Sequence, residues 1–266
     1  MTPPVDQARP LNRLRQIWDS GACAFGAIAT IPSTQSVQVL ARSGLDFIIV
    51  DMEHGPIDAM AAHSMIAATA GTPLVPLVRV TSKERSHAKL PLDLGAMGVC
   101  FPMTSSRADA EDVVKAVRYP PIGERFWGPF YAPLRWGVTM REYMDHADGE
   151  VLAVGVIEHI DAVDNAAEIA STPGLDLVFI GPGDLATSMG LLGRGDHPDV
   201  CDAISKIERA FVGSPVRLGG VAMNAAQASS MMESGYRALM IGFDWSLLQK
   251  GIADTLNSMR GKDPQR

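Results

Sequence analysis

Residues 152–184 read LAVGVIEHIDAVDNAAEIASTPGLDLVFIGPGD, and this stretch holds one full repeat of a fold. It opens with an apolar run, Leu152–Ile157, in which polar and apolar residues do not alternate. Such a run suits a parallel strand buried on both faces. Ala162–Ser171 then carries apolar residues at three-to-four spacing, the period of a helix that buries one side. Gly174 follows as a helix stop, and a second unbroken apolar run, Leu177–Gly181, begins soon after. The unit is strand, helix, strand, with the two strands adjacent and parallel.

The same rhythm recurs on both sides of this unit. Apolar runs occur at Ala24–Ala29, Phe47–Asp51, Leu74–Arg79, Gly98–Pro102, Arg217–Val221 and Ala238–Ile241. Helical patterns fall at Thr34–Ser43, Ala59–Ala70, Lys83–Leu94, Ala108–Val117, Asp199–Val212 and Ala225–Ser234, and Gly44, Gly71, Gly95 and Gly235 stand as stops. Eight β/α alternations without a break in composition predict an α/β protein. Its expected form is a single (β/α)8 TIM barrel spanning 1–266. An open doubly wound sheet is the rival, but it usually carries a glycine-rich turn after its first strand, and no GxGxxG is present. Residues 1–20 read as an N-terminal extension or helix. The stretch 119–137, YPPIGERFWGPFYAPLRWG, is too irregular for a helix and too long for a plain connection. It reads as a lid or a subunit contact, with a simple packed loop as the plainer alternative.

Bulk properties set limits on partners. The chain has 266 residues, 47% hydrophobic and 20% charged, a profile that buries a sizeable core. Its formal net charge of -7 argues against nucleic acid and anionic membrane, both of which need a basic face. No run approaches a membrane span, and the polar, proline-bearing start lacks the apolar segment of a signal peptide. Cys23, Cys100 and Cys201 are far apart and form no CxxC, which points to a reducing cytoplasm.

In a barrel, chemistry belongs at the carboxyl ends of the strands. The second strand ends in Asp51-Met52-Glu53-His54, the third in Arg79 and the fifth in Glu158; the sixth runs into Gly181-Pro182-Gly183-Asp184, and the eighth into Gly242-Phe243-Asp244. Glu158, at the end of a buried run, needs a partner, either a salt bridge, a helix amide or a cation. Asp184 could cap the next helix or, facing Glu158 from a neighbouring strand, share a metal with it. Two carboxylates with open positions suit Mg2+ or Mn2+, with Co2+ as a softer option. His54 beside Asp51 reads either as a satisfied core histidine or as a base whose ring the carboxylate orients. A buried Arg79 fits an anionic ligand or a developing oxyanion. His63, His87, His146, His159 and His197 read as surface or packing residues. No lysine ends a strand, which speaks against imine chemistry.

DMEHGP (51–56), VRV (78–80), LDLGAMGVCFPM (92–103), VIEH (156–159), FIGPGDLATSMGLLG (179–193) and DHPDV (196–200), taken together, resemble the class II, metal-dependent 2-oxo acid aldolases of the HpcH/HpaI group. The resemblance runs from about Phe25 to Leu248. It implies a barrel of the pyruvate/phosphoenolpyruvate type and reversible cleavage of 4-hydroxy-2-oxo acids to pyruvate, or hydroxypyruvate, and an aldehyde through a metal-bound enolate. It implies that Glu158 and Asp184 ligate the metal and that the amides of Gly183 and Asp184 receive the substrate carboxylate. Arg79 would hold the keto oxygen, Val221 would line the substrate, and His54 supported by Asp51 would move the proton. It further implies that Asp93 reaches a neighbouring subunit's site, that the barrels pair by exchanging their last helices, and that they assemble as homohexamers serving aromatic compound catabolism. Val156, the FWGPFYAP stretch and Gly220-Val221-Ala222 depart from the group's pattern and leave the aldehyde side open. An oxaloacetate-type decarboxylase, and a barrel that binds a small acid without turnover, are the competing readings.

Overall fold

The computed structural model describes residues 12–260. Eight strands lie in chain order: β1 (Ala24–Ala29), β2 (Phe47–Asp51), β3 (Val75–Arg79), β4 (Gly98–Phe101), β5 (Leu152–Ile157), β6 (Leu177–Ile180), β7 (Arg217–Val221) and β8 (Tyr236–Phe243). They form a closed barrel in that order, with every pairing parallel, including that of β8 with β1. The fold is the single (β/α)8 TIM barrel expected from the sequence. The first eleven residues of the expected N-terminal extension lie outside the described residues. The remainder forms α1 (Arg13–Asp19).

The helices follow the strands around the outside. They are α2 (Thr34–Leu40), α3 (Ala59–Ala67), α4 (Lys89–Asp93), α5 (Arg107–Val117), α6 (Ala132–Trp136), α7 (Met140–Glu150), α8 (Asp161–Asp164) and α9 (Ala166–Ala170). After β6 come α10 (Pro182–Ser188) and α11 (Pro198–Phe211), then α12 (Ala225–Glu233) beyond β7 and α13 (Asp244–Arg260) beyond β8. The expected helix Lys83–Leu94 is instead a 3-10 turn, Arg85–Ala88, followed by α4. Pro91, which has no N–H to donate, sits in the first turn of α4, where that loss is harmless. The expected Ala162–Ser171 is broken at Asn165, whose φ of -91° and ψ of 1° leave the helical basin.

Alternation along each strand divides the core in two. Leu152, Val154 and Val156 of β5 point into the barrel, where they join Ile49, Phe179 and Met240. Ala153 and Ile157 point outward against the helices. Glycine makes room where the interior is tightest. A Cβ on Gly26 would lie 2.5 Å from the Phe47 ring, and one on Gly219 would lie 2.5 Å from Phe179. Those two rings meet across the barrel with centroids 6.1 Å apart. Below, at the amino ends of the strands, Leu14 and Trp18 of α1 pack against the same interior cluster. A buried pair, Arg118 to Asp176 at 3.0 Å, ties α5 to the start of β6, and Arg15 reaches the other Asp176 oxygen at 2.9 Å. The interior thus opens toward the carboxyl ends. Among the described residues no helix is long and apolar enough to cross a membrane, and all three cysteines are free.

Candidate active site

The carboxyl end of the barrel holds a cavity of about 420 Å3. Its charged and imidazole lining comes from the ends of β2, β3, β5 and β6: His54, Arg79, Glu158 and Asp184 all face it. Val221, at the end of β7, lines it too, as does Gly183. A smaller lobe of about 290 Å3 adjoins and shares His54, Glu158 and Asp184, adding Glu53, His159, Thr187 and Ser188. The expected constellation is therefore brought together, apart from Asp93 and Asp51, neither of which lines either lobe.

Arg79 and Asp51 are direct partners across the β2–β3 register. Arg79 donates from Nε to Asp51 Oδ1 at 2.9 Å and from Nη2 to Asp51 Oδ2 at 2.6 Å. Asp51 is fully buried and also accepts the backbone amides of Glu53 and His54. The expected support of the His54 ring by Asp51 is therefore corrected: Asp51 holds the His54 backbone, and the carboxylate nearest the ring is Glu53, 3.8 Å from Nε2. Burial acts to lower the Arg79 pKa, but the Asp51 hydrogen bonds and the nearby carboxylates outweigh it and raise it. The fork fixes the guanidinium plane and leaves Nη1 as the nitrogen for a ligand.

Glu158 is 4% exposed. Its Oε1 accepts the Met103 amide at 2.7 Å. Met103 presents that amide from a left-handed conformation, φ 55°, which costs a side-chain-bearing residue about 1 kcal/mol. Burial pushes the Glu158 carboxyl up to about 7; the Met103 bond opposes this, and the negative charges of Glu53 and Asp184 add to it. Glu53 is raised as well, first by burial. Its Oε2 is buried without a hydrogen bond, since Arg79 Nε at 3.3 Å already donates to Asp51. Asp184 is the third residue of α10, whose N-cap is Gly181, and it makes no side-chain capping bond. The capping alternative for Asp184 thus falls away.

Glu158 and Asp184, whose charges oppose each other beside Glu53 with its orphaned buried oxygen, offer two carboxylates that fit part of the shell of a hard divalent cation. Among the described residues no three carboxylate, imidazole or thiolate groups could hold an ion by themselves. A cation at the Glu158–Asp184 pair would therefore need oxygen atoms from substrate and water. At Gly183 a Cβ would meet nothing within 4 Å, so a ligand can approach the first turn of α10 closely.

Residues 30–250 match the family model described as HpcH/HpaI aldolase/citrate lyase. The chain belongs to that family. A hydroxypyruvate/pyruvate aldolase of Pseudomonas aeruginosa is 32% identical to this family member over 96% of this chain and 95% of the relative. A 4-hydroxy-2-oxo-heptane-1,7-dioate aldolase of Salmonella dublin is also 32% identical, over 90% of this chain and 91% of its own. A crystal structure of an HpcH/HpaI aldolase/citrate lyase family protein from Burkholderia cenocepacia superposes with a TM-score of 0.86 at 33% identity. That match covers 94% of this chain and 100% of the other. As a member of this lyase family with aldolase relatives, the chain is an enzyme of the aldehyde-lyase kind.

Other expected residues lie elsewhere in this family member. Asp93 ends α4 on the outer wall, 3.5 Å from the buried Arg125. Arg125 donates to Tyr143 Oη at 2.8 Å and stacks 4.5 Å above the Tyr119 ring. It anchors the 119–137 stretch, no residue of which lines either lobe and part of which forms α6. Asp244, placed by the sequence among the charges at the mouth, is committed to structure: it accepts the Thr30 and Ile31 amides and the Thr30 hydroxyl. His159, which the sequence leaves as a surface or packing residue, lines the smaller lobe. Glu53 and Met103 had no assigned role. Glu53 was readable from its place in the same strand-end motif, whereas nothing in the type of residue 103 signals its backbone.

Proposed function

We propose that this enzyme reversibly cleaves 4-hydroxy-2-oxo acids into pyruvate or hydroxypyruvate and an aldehyde. The observation that carries the reading is the convergence of the Asp51-pinned Arg79 with Glu158 and Asp184 on one cavity. The names of the aldolase relatives support it. The amides of Gly183 and Asp184, at the open first turn of α10, receive the 2-oxo acid's carboxylate. Arg79 directs Nη1 toward the keto oxygen, where negative charge develops as the C3–C4 bond breaks and its electron pair moves into the enolate. His54, with its ring exposed in both lobes, takes the proton of the 4-hydroxyl directly or through water, and the aldehyde leaves. C3 is then protonated to give the 2-oxo acid. Glu158 and Asp184 would hold a divalent cation, Mg2+ or Mn2+ with Co2+ as a softer alternative, which supplies Lewis-acid polarisation of the keto group when bound.

The assembly belongs to the same reading. We take the protein for a homo-oligomer, a hexamer by the family pattern, in which Asp93 serves a neighbouring copy and the aromatic 119–137 stretch forms a contact between copies. Phe126, Trp127 and Phe130, all exposed in the single chain, support this.

Pyruvate release from a panel of 4-hydroxy-2-oxo acids, coupled to a reductase, tests the reaction. Release should stop on exhaustive chelation and return with Mg2+ or Mn2+. Undiminished release after chelation overturns the role given to Glu158 and Asp184, and absence of release from every acid with every cation overturns the aldolase reading.

A further inference from the structure

We propose that the aldehyde partner is uncharged and carries an apolar tail, seated in the larger lobe of the mouth. This rests on the aldolase reading above and names the half of the substrate that reading leaves open. Below the polar rim the lobe is walled by Ile49, Val156, Phe179 and Met240, with Met223 and Phe243 at its upper edge. Its volume of about 420 Å3 is far more than a three-carbon acid fills, and it falls in the range of sites that enclose larger ligands.

Within one chain, the charge inventory supplies no cation for a second anionic group. Among the described residues, Arg79 is the sole arginine or lysine lining either lobe. Asp51 already holds two of its nitrogens, and the 2-oxo acid head claims the remaining edge. The other ionisable groups around the smaller lobe are Glu53, Glu158 and Asp184, with the imidazoles of His54 and His159. A tail carboxylate would find no cation of its own and would face like charge on one side or hydrocarbon on the other. A polyhydroxylated tail fares little better in the larger lobe, where Gln227 is the main neutral polar side chain and its Oε1 already accepts the Met223 amide. An alkyl or aryl tail, by contrast, gains roughly fourfold in binding for each methylene that leaves water.

The full-length enzyme, supplied with Mg2+ and pyruvate, is tested in the condensation direction with propanal, pentanal, glyceraldehyde and succinate semialdehyde. Exchange of the pyruvate methyl protons with D2O is followed alongside. We expect kcat/KM to rise from propanal to pentanal, and succinate semialdehyde to fall below pentanal by about tenfold or more. Met223→Arg, which places a cation at the exposed upper edge, should narrow that gap by roughly tenfold. Equal or better use of succinate semialdehyde or glyceraldehyde, no gain with tail length, or an unchanged gap in Met223→Arg overturns the inference. If the methyl protons still exchange in that case, the aldolase reading survives it. Absence of both exchange and condensation overturns the two together.

Discussion

Glu158 carries its charge against the grain of its surroundings. Burial is the main cause of its rise to about 7, the Met103 amide opposes it, and Glu53 and Asp184 reinforce it. The folded-state value lies above the ordinary 4.5, so the fold favours the protonated form. That favourable contribution is complete below about 4.5 and disappears as the pH rises through about 7. Glu158→Gln keeps an acceptor for the Met103 amide and removes the ionisation. Chelator-treated Glu158→Gln should therefore be more stable than the parent by about 3 kcal/mol near pH 8, and close to it near pH 4. Thermal melts across that range check this, and parallel curves for the two proteins would refute it. The sequence disclosed Glu158 because a carboxylate directly follows four apolar residues. It could not choose between cap and ligand for Asp184, since both follow a glycine turn. It paired Asp51 with His54, its neighbour in the chain, because a register that sets Asp51 beside Arg79, 28 residues away, is a property of the assembled sheet.

At the scale of elements, the seam between β8 and β1 is the closure that completes the barrel. Register shifts occur in β8 on both of its sides. Asp244 compensates by fastening the end of β8 to Thr30 and Ile31, just past β1. Asp244→Ala removes the acceptor from three backbone amides at once, those of Thr30, Ile31 and Trp245, and should cost about 3 kcal/mol. Urea unfolding measures it, and a loss below about 0.5 kcal/mol would show that the seam closes without the carboxylate. The strands were legible because parallel strands covered on both faces must be apolar throughout. Helices α2, α3, α5, α11 and α12 were legible from their one-sided periodicity. Helices α6 and α10 are seven residues or shorter and begin beside prolines, so a period cannot be read from them. Helix α7 has a readable start in the capping box of Thr139 and Glu142. Helix α13 carries the same period, but of its large apolar residues only Leu247 packs against this barrel.

For the whole molecule, the uncovered surfaces matter most. Of the seventeen residues of α13 only Asp244 is buried. Trp245, Leu248, Ile252, Leu256 and Met259 recur at three-to-four spacing on it, and each is exposed. Helix α12 likewise buries none of its residues. A stripe of that width in water is the signature of a helix awaiting a partner surface. The double variant Leu248→Glu with Ile252→Glu should lose the oligomer and sediment near the 28.4 kDa of one chain, where the parent sediments as a multiple of it. Sedimentation velocity decides the point, and an unchanged mass would place the contact elsewhere.

Phe243 and Asp244 are consecutive, and they answer to different demands. Phe243 lines the larger lobe, while Asp244 locks the seam and begins α13. A mutation that reshapes the site through Phe243 therefore also tugs on the joint from which α13 departs with its exposed apolar stripe. Met223 has no such second duty, since it lies in the loop after β7 and stands exposed. In evolutionary terms the two edges of the same pocket differ in pleiotropy. A lineage drifting toward a new aldehyde can vary Met223 at little risk, whereas change at Phe243 is visible to selection on the closure of the barrel as well as on substrate.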